Sequence, residues 1–148
     1  MLKSFATLIQ VAQNKTDSAA IKVGQLTARL SESGQKRDVL ANYRDEYRAR
    51  LDSAVMRGAP VDEVRNFRAF LDKLDEAIRQ QENEVTFWTT QINCARDQWQ
   101  SEQRSLTSFN TIAARRASTA QVAAARRDQK QQDEFASRSI GSRFAFGE

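Results

Sequence analysis

The residues of this chain that could perform chemistry are two acidic pairs and one cysteine. Asp62/Glu63 and Asp133/Glu134 have the side chains of general acid–base catalysts, and the Cys94 thiol is a possible nucleophile. The sequence contains no histidine, which removes the usual general base and the commonest metal ligand. It also has no Gly-rich phosphate loop and no metal-spaced set of cysteines. We therefore expect a protein that is not an enzyme and that has no cofactor and no metal site.

Simpler roles account for the same residues. Asp62 and Glu63 lie two and three residues after Pro60, and negative charge in the first turn of a helix is favoured by the helix dipole. The second acidic pair lies in a polar stretch, where solvated charges are expected. Nothing near Cys94 would activate its thiol, and a single cysteine cannot form an internal disulfide, which fits a reducing cytoplasm.

The composition favours one extended, patterned domain. The chain has 148 residues with only one proline and five glycines, so it offers little material for turns. Charged residues make up 28% and apolar residues 40% of the sequence, and no apolar run is long enough to span a membrane. We also expect no signal peptide, because Gln10, Gln13 and Asn14 interrupt the first apolar stretch.

One turn divides the chain into two amphipathic halves. Gly58 can take the left-handed conformation that ends a helix, and Pro60 has the preset φ that begins one. On both sides of this turn, apolar residues recur at alternating steps of three and four, the pattern of a coiled-coil seam. We predict an all-α fold, a long antiparallel two-helix coiled coil that forms a single domain over 1–148. The predicted parts are helix 1 over about 2–57, a turn at 58–61, helix 2 over about 61–137 and a frayed tail at 138–148.

The seam is defined by the residues at these a and d positions. On helix 1 they are Leu2, Phe5, Ile9, Ala12, Thr16, Ala19, Val23, Leu26, Leu30, Ser33, Arg37, Leu40, Arg44, Tyr47, Leu51 and Ala54. On helix 2 they are Val64, Phe67, Leu71, Leu74, Ile78, Gln81, Val85, Trp88, Ile92, Ala95, Trp99, Glu102, Leu106, Phe109, Ala113, Arg116, Ala120 and Ala123.

The two seams predict a pairing register. They are symmetric about Ala59, so residues at equal sequence distance on either side of it should share a layer. Ser33 then pairs with Val85, and Leu51 pairs with Phe67. Polar positions also coincide, with Thr16 facing Glu102 and Arg37 facing Gln81, as expected of layers that fix register. The match favours an intramolecular hairpin over a parallel dimer and leaves an assembly of two hairpins open.

Some large apolar residues lie off the seam. Tyr43 and Phe70 are the main ones, and a two-helix fold has little room to bury them, so we expect an exposed face of the kind that anchors interfaces. Leu40 and Leu74 adjoin them and could belong either to this face or to the core. Phe87 is a further off-seam aromatic that we interpret as isolated.

Helix 2 extends beyond the residues that helix 1 can pair with. The stretch after Arg116 is rich in alanine, and its basic residues outnumber its acidic ones. It either remains solvated or enters a partner. Because acidic residues alternate with the basic ones along the chain, the net charge of +4 gives little support to nucleic-acid binding, and we expect no nucleic-acid partner.

Three stretches, in order, resemble the FliJ family of flagellar export proteins: NYRDEYRARL at 42–51, NFRAFLDKLDEAIRQQ at 66–81 and RRDQKQQDEFASR at 126–138. The resemblance implies an antiparallel coiled coil similar to the central stalk of rotary ATPases. It also implies the family's partners, which are a hexameric export ATPase of the FliI type, the export gate protein FlhA and export chaperones. The implied location is cytoplasmic, peripherally associated with the inner membrane at the flagellar export apparatus, without direct membrane insertion.

The resemblance also implies binding residues. The family's gate-binding face falls here on Lys36, Leu40, Tyr43, Tyr47, Phe70, Leu74, Ala77 and Gln81. In a rotary-type arrangement the chain ends would enter the ATPase ring, where the basic residues of late helix 2 would contact it: Arg115, Arg116, Arg126, Arg127 and Lys130. Three further hypotheses stay open, namely the equivalent stalk of a virulence-type (injectisome) secretion system, a generic coiled-coil scaffold, and a nucleic-acid-binding or cytoskeletal coiled coil.

Overall fold

The computed structural model of the protein describes residues 2–145 and contains two helices. Helix α1 covers Leu2–Met56 and helix α2 covers Val61–Ala145, and the two pack against each other as a hairpin. Within 2–145 there is no strand. The predicted all-α helical hairpin is therefore confirmed. The likeness to a rotary-ATPase stalk stays a prediction.

Contacts between residues divide the chain into two compact units, which we describe separately. The first, the turn unit, is Asn14–Glu102 and includes the connection between the helices. The second, the terminal unit, combines Met1–Gln13 with Gln103–Glu148. The prediction of a single domain over the whole chain stays a prediction.

Backbone hydrogen bonds close the turn in the manner that its sequence predicts. Gly58 has a φ of 69°, the left-handed conformation in which glycine carries no steric penalty. Its N–H donates to the carbonyl of Val55, and the N–H of Ala59 donates to the carbonyl of Ala54 at 3.0 Å. This is the double hydrogen bond of a Schellman cap. The carbonyl of Pro60 then accepts the first bonds of α2, so one turn satisfies both helix ends.

Within the turn unit, every predicted seam position is buried or half-buried. The most deeply buried seam residues are Thr16, Ser33, Ala54, Leu71, Leu74, Ile78, Ile92 and Ala95. The heptad spacing therefore identifies the interface between the helices correctly. The core of this unit is one row of facing side chains, as expected when two helices pack with no third layer.

Contacts across the helices agree with the predicted register. Ser33, expected beside Val85, donates a hydrogen bond to the neighbouring Glu84 at 3.2 Å. The Tyr47 ring, expected beside Leu71, lies 4.4 Å from the ring of Phe70. One predicted polar layer differs in detail, because Arg37 bonds to the adjacent Asp38. The Oε1 atom of Gln81 is buried without a hydrogen-bond partner among the described residues.

In the terminal unit the seam ends earlier than predicted. Ala12 is buried, and the described seam residues up to Ala113 are at least half-buried. The Leu2 side chain lies outside the described residues. Arg116 and Ala120, predicted as seam positions, are exposed, so that part of the prediction is wrong, whereas the last predicted position, Ala123, is half-buried. The physical reason is the length of α1, which offers few side chains against which this part of α2 could pack.

Helix α2 also continues beyond the expected helix end near residue 137. It reaches Ala145, and only residues 146–148 of the expected frayed tail lie outside the described range. No proline interrupts this stretch, and Gly141 weakens a helix by only about 1 kcal/mol. Arg143 in the last turn favours the helix through its dipole.

Candidate functional site

Two of the residues with catalytic side chains, Glu63 and Asp133, make polar contacts with nearby residues of the chain. Glu63 pairs with Arg57 across the turn at 3.3 Å, and Asp133 accepts a hydrogen bond from Gln129, one helical turn away. Cys94 is a free, exposed thiol. In the part of the chain that the structure describes, no group of three or more metal-binding side chains comes together. None of the described helices is long and apolar enough to cross a membrane. The candidate sites are surfaces of the two helices.

The first surface, which we call the lateral face, comprises the eight residues implied by the family resemblance. All eight lie in the turn unit. Four of them are seam positions and four lie beside the seam. The two groups differ in how exposed their side chains are. The seam members are half-buried or buried: Leu40, Tyr47, Leu74 and Gln81. The off-seam members are Lys36, Tyr43, Phe70 and Ala77, of which only Ala77 is half-buried.

Exposure decides which members of the lateral face a partner could touch. Tyr43 is 52% exposed and Phe70 is 39% exposed, which confirms the expectation that these two rings lie at the surface. Leu74 is only 8% exposed, so its side chain belongs to the core. Of the two interpretations left open for Leu74, the structure selects the core. Exposed aromatic rings beside a well-packed seam are the kind of surface from which interface anchors are drawn.

A cluster of rings supports the exposed part of the lateral face. The Tyr47 ring packs between Phe67 at 6.1 Å and Phe70 at 4.4 Å. The guanidinium of Arg50 lies over the same tyrosine ring at 5.2 Å. Phe70 is therefore held from one side by Tyr47 while its other side faces solvent. This support fixes the ring, which lowers the entropy cost of burying it against a partner.

One cation belongs to the lateral face, and a second lies on the seam beside it. Lys36 pairs with Glu32 one helical turn away at 3.2 Å, and both side chains are largely exposed. Arg44 reaches Asp75 on the other helix at 3.8 Å. A pair as exposed as Lys36–Glu32 contributes little to folding stability, so the Lys36 charge is available to influence binding.

The second surface is the stretch of α2 from 114 to 145, which we call the C-terminal arm. Nearly every described side chain of the arm is exposed. The five cations expected to contact the ATPase ring lie here or at its start. At 100° per residue, they fall within about a third of the helix circumference. They are Arg115, Arg116, Arg126, Arg127 and Lys130.

One of these five cations, Arg116, makes a cation–π contact that could not be read from the sequence. Arg116 places its guanidinium over the ring of Phe5 at 4.8 Å, and Phe5 also meets Phe109 edge to face at 6.1 Å. Arg116 therefore closes the end of the seam. The other four are exposed along one side of the arm.

A third feature corrects the expectation for Phe87. Its ring is not isolated but meets Trp88 at 5.0 Å, and the guanidinium of Arg29 lies over Trp88 at 5.2 Å. These residues line a groove of about 470 Å³ that also includes Lys36 and Glu84. A signal for it is present in the sequence. Arg29, Lys36 and Tyr43 recur every seven residues on α1, and Phe70, Ala77 and Glu84 do so on α2.

Comparison with known proteins gives one consistent result. Residues 1–143 match the family described as Flagellar FliJ protein. The chain is 29% identical over 136 residues to the Flagellar FliJ protein of Escherichia coli (strain K12), and the match covers 92% of each chain. It is also 29% identical over 133 residues to the Flagellar FliJ protein of Salmonella typhi, with 90% of each chain covered.

Proposed function

Because the chain belongs to the FliJ family, a non-enzymatic component of flagellar export, we propose that it is the stalk that couples the hexameric export ATPase to the export gate protein FlhA. Its work is mechanical and depends on binding, and the lateral face and the C-terminal arm are the surfaces that its partners would contact. The proposal also includes the escort of export chaperones and a position at the inner membrane held through the gate.

The observation that carries the proposal is the exposure of Tyr43 and Phe70. The seam of the turn unit buries the apolar side chains that the heptad pattern provides, yet these two rings remain at the surface. Exposing such rings loses the free energy that burial would give, about 1.5–3 kcal/mol for a fully buried phenylalanine. A partner that covers them recovers it. The gate protein is the partner that the proposal assigns to this face.

The contact with the ATPase is assigned to the C-terminal arm. Its cations share one side of an exposed helix, and the alanines between them keep that helix narrow. A single slim helix with charge along one side suits the pore of a ring, where it can meet acidic groups of successive subunits in turn. The proposal therefore separates the two partners between the two units of the chain.

A pull-down with purified components tests the proposal. The full chain should retain both the purified export ATPase and the cytoplasmic domain of the gate protein. A chain with Tyr43→Ala and Phe70→Ala should retain the ATPase alone. Failure of the unaltered chain to bind either component would refute the coupling function. A gel shift with duplex DNA serves as the check on nucleic-acid binding, and we expect no shift at physiological salt.

Two alternative hypotheses, an injectisome stalk and a generic scaffold, have less support than a flagellar stalk. The match over residues 1–143 supports the flagellar branch over the injectisome stalk. A generic scaffold would not require two exposed rings, those of Tyr43 and Phe70, beside a well-packed seam. Binding of the flagellar gate domain in preference to its injectisome counterpart is the measurement that separates the two kinds of stalk.

A further inference from the structure

The groove beside the lateral face lies on the same side of the turn unit as Tyr43 and Phe70. Lys36 belongs to both surfaces, since it is a member of the lateral face and also lines the groove. The rows that recur every seven residues pass from Arg29 to Tyr43 on α1 and from Phe70 to Glu84 on α2. A seven-residue repeat keeps residues on one side of a coiled coil. The two surfaces are therefore continuous.

The groove has an aromatic floor with an exposed anchor. Trp88 is half-buried at a seam position, and Phe87 is 52% exposed beside it, with the two rings edge to face. A volume of about 470 Å³ lies within the range of small-molecule pockets, roughly 300–1,000 Å³, so the groove has room for a side chain of a partner. The aromatic walls favour an apolar side chain as the occupant.

The charges around the groove define a second requirement for the occupant. Glu32 is paired with Lys36, and Glu84 accepts the hydrogen bond of Ser33. Arg29 covers the Trp88 ring, and no carboxylate among the described residues forms an ion pair with it. A carboxylate brought by a partner would therefore meet a positively charged group that has no competing internal ion pair.

We infer that the gate-binding surface extends from Tyr43 and Phe70 into the groove of Arg29, Phe87 and Trp88, where it takes an apolar side chain of the gate protein with an adjacent carboxylate. This inference rests on the proposed function and enlarges its site. The apolar side chain packs against Phe87 and Trp88, and the carboxylate pairs with Arg29. One partner segment thus spans both surfaces.

Footprinting of introduced thiols tests the inference. The experiment uses three variants in a Cys94→Ser background. Phe87→Cys places a thiol in the groove, and Tyr43→Cys places one on the lateral face. Thr27→Cys, at an exposed position on α1 that belongs to neither surface, is the control. At a gate-domain concentration of about ten times the Kd measured for each variant, maleimide alkylation of the first two should slow about tenfold, because roughly nine-tenths of the chains are then bound. Alkylation of the control should not change.

Each outcome of this experiment decides between the two proposals. Protection of both the Tyr43 and Phe87 positions supports the extended surface. Protection of the Tyr43 position alone overturns the extension and leaves the proposed function intact. Protection of neither overturns both. Protection of the Phe87 position that grows with the concentration of the chain alone would assign the groove to a second copy and would overturn the inference.

Affinity measurements give an independent test. Phe87→Ser should raise the Kd for the gate domain about tenfold, because it removes the exposed ring of the groove. Helix content should stay constant, because about half of this ring already faces solvent. Phe135→Ser, which removes an exposed ring from the C-terminal arm, is the matched control and should not change the Kd. Arg29→Glu should also weaken binding, and its effect should shrink as salt is raised. An unchanged Kd for both groove variants would overturn the inference.

Discussion

The hydroxyl of Ser33 donates a hydrogen bond to the carboxylate of Glu84 across the two helices at 3.2 Å. Ser33 is one of the most buried polar residues of the turn unit, so this contact favours one particular pairing of the helices. A slip of α1 by one heptad would leave a buried hydroxyl without this partner, which costs about 1–3 kcal/mol.

The register is open to a direct crosslinking test. After Cys94→Ser, the pair Ser33→Cys and Val85→Cys should form an intramolecular disulfide on mild oxidation, because the two positions share the layer next to the Ser33–Glu84 bond. Mobility on a non-reducing gel measures the product. A pair such as Ser33→Cys with Trp99→Cys, two heptads away, is the control and should stay reduced. Exclusive formation of crosslinked dimers would contradict the hairpin.

Replacing Gly24 and Gly58 by alanine should change the free energy of unfolding in opposite directions. A Cβ added at Gly24, inside α1, meets no atom within 4 Å, so Gly24→Ala should stabilise the fold by about 0.5–1 kcal/mol through helix propensity. Gly58 has its φ at 69°, where an alanine costs about 1–2 kcal/mol. Gly58→Ala should therefore destabilise. The free energy of unfolding in urea, at an unchanged m-value, measures both effects. If both variants changed it by the same amount and in the same direction, a side chain at Gly58 would not strain the cap.

On the lateral face, substitutions of exposed residues should affect gate binding, whereas substitutions of core residues should affect the free energy of unfolding. Tyr43→Ala should weaken gate binding with little change in the free energy of unfolding, because the ring is half exposed. Phe70→Ala should also weaken binding and should lose about 0.5–1.5 kcal/mol of stability through its contact with Tyr47. Leu74→Ala should mainly destabilise, by about 2–5 kcal/mol. Isothermal titration and thermal unfolding measure the two quantities. A large stability loss in Tyr43→Ala would place that ring in the core.

Removal of residues 117–148 should abolish stimulation of the export ATPase and spare gate binding. The lateral face lies in the turn unit, and the truncation keeps Arg116 and its contact with Phe5. A milder variant, Arg126→Glu with Lys130→Glu, reverses charge on the basic side of the arm and should reduce stimulation. Arg143→Glu, which lies away from that side, is its control. Full stimulation by the truncated chain would show that coupling uses the sides of the hairpin.

The sequence alone determined the two helices, the turn between them and the positions that face inward. Heptad spacing and turn chemistry are local properties, since each depends on residue types a few positions apart. This is why the seam from Thr16 to Ala54 and the cap at Gly58 follow directly from the residues. The exposure of Tyr43 and Phe70 follows as well, because a two-helix packing has no third layer to bury them.

Only the tertiary structure decided where packing stops and which side chains meet across the helices. Arg116 continues the heptad by sequence, yet it lies exposed and closes the seam over Phe5. The groove of Arg29 and Trp88 joins residues far apart in the sequence, and Leu74 proved to be core although its neighbour Phe70 is surface. Spacing along one helix assigns a residue to a side of that helix. How much of that side is covered depends on the partner helix, so burial is a property of the pair.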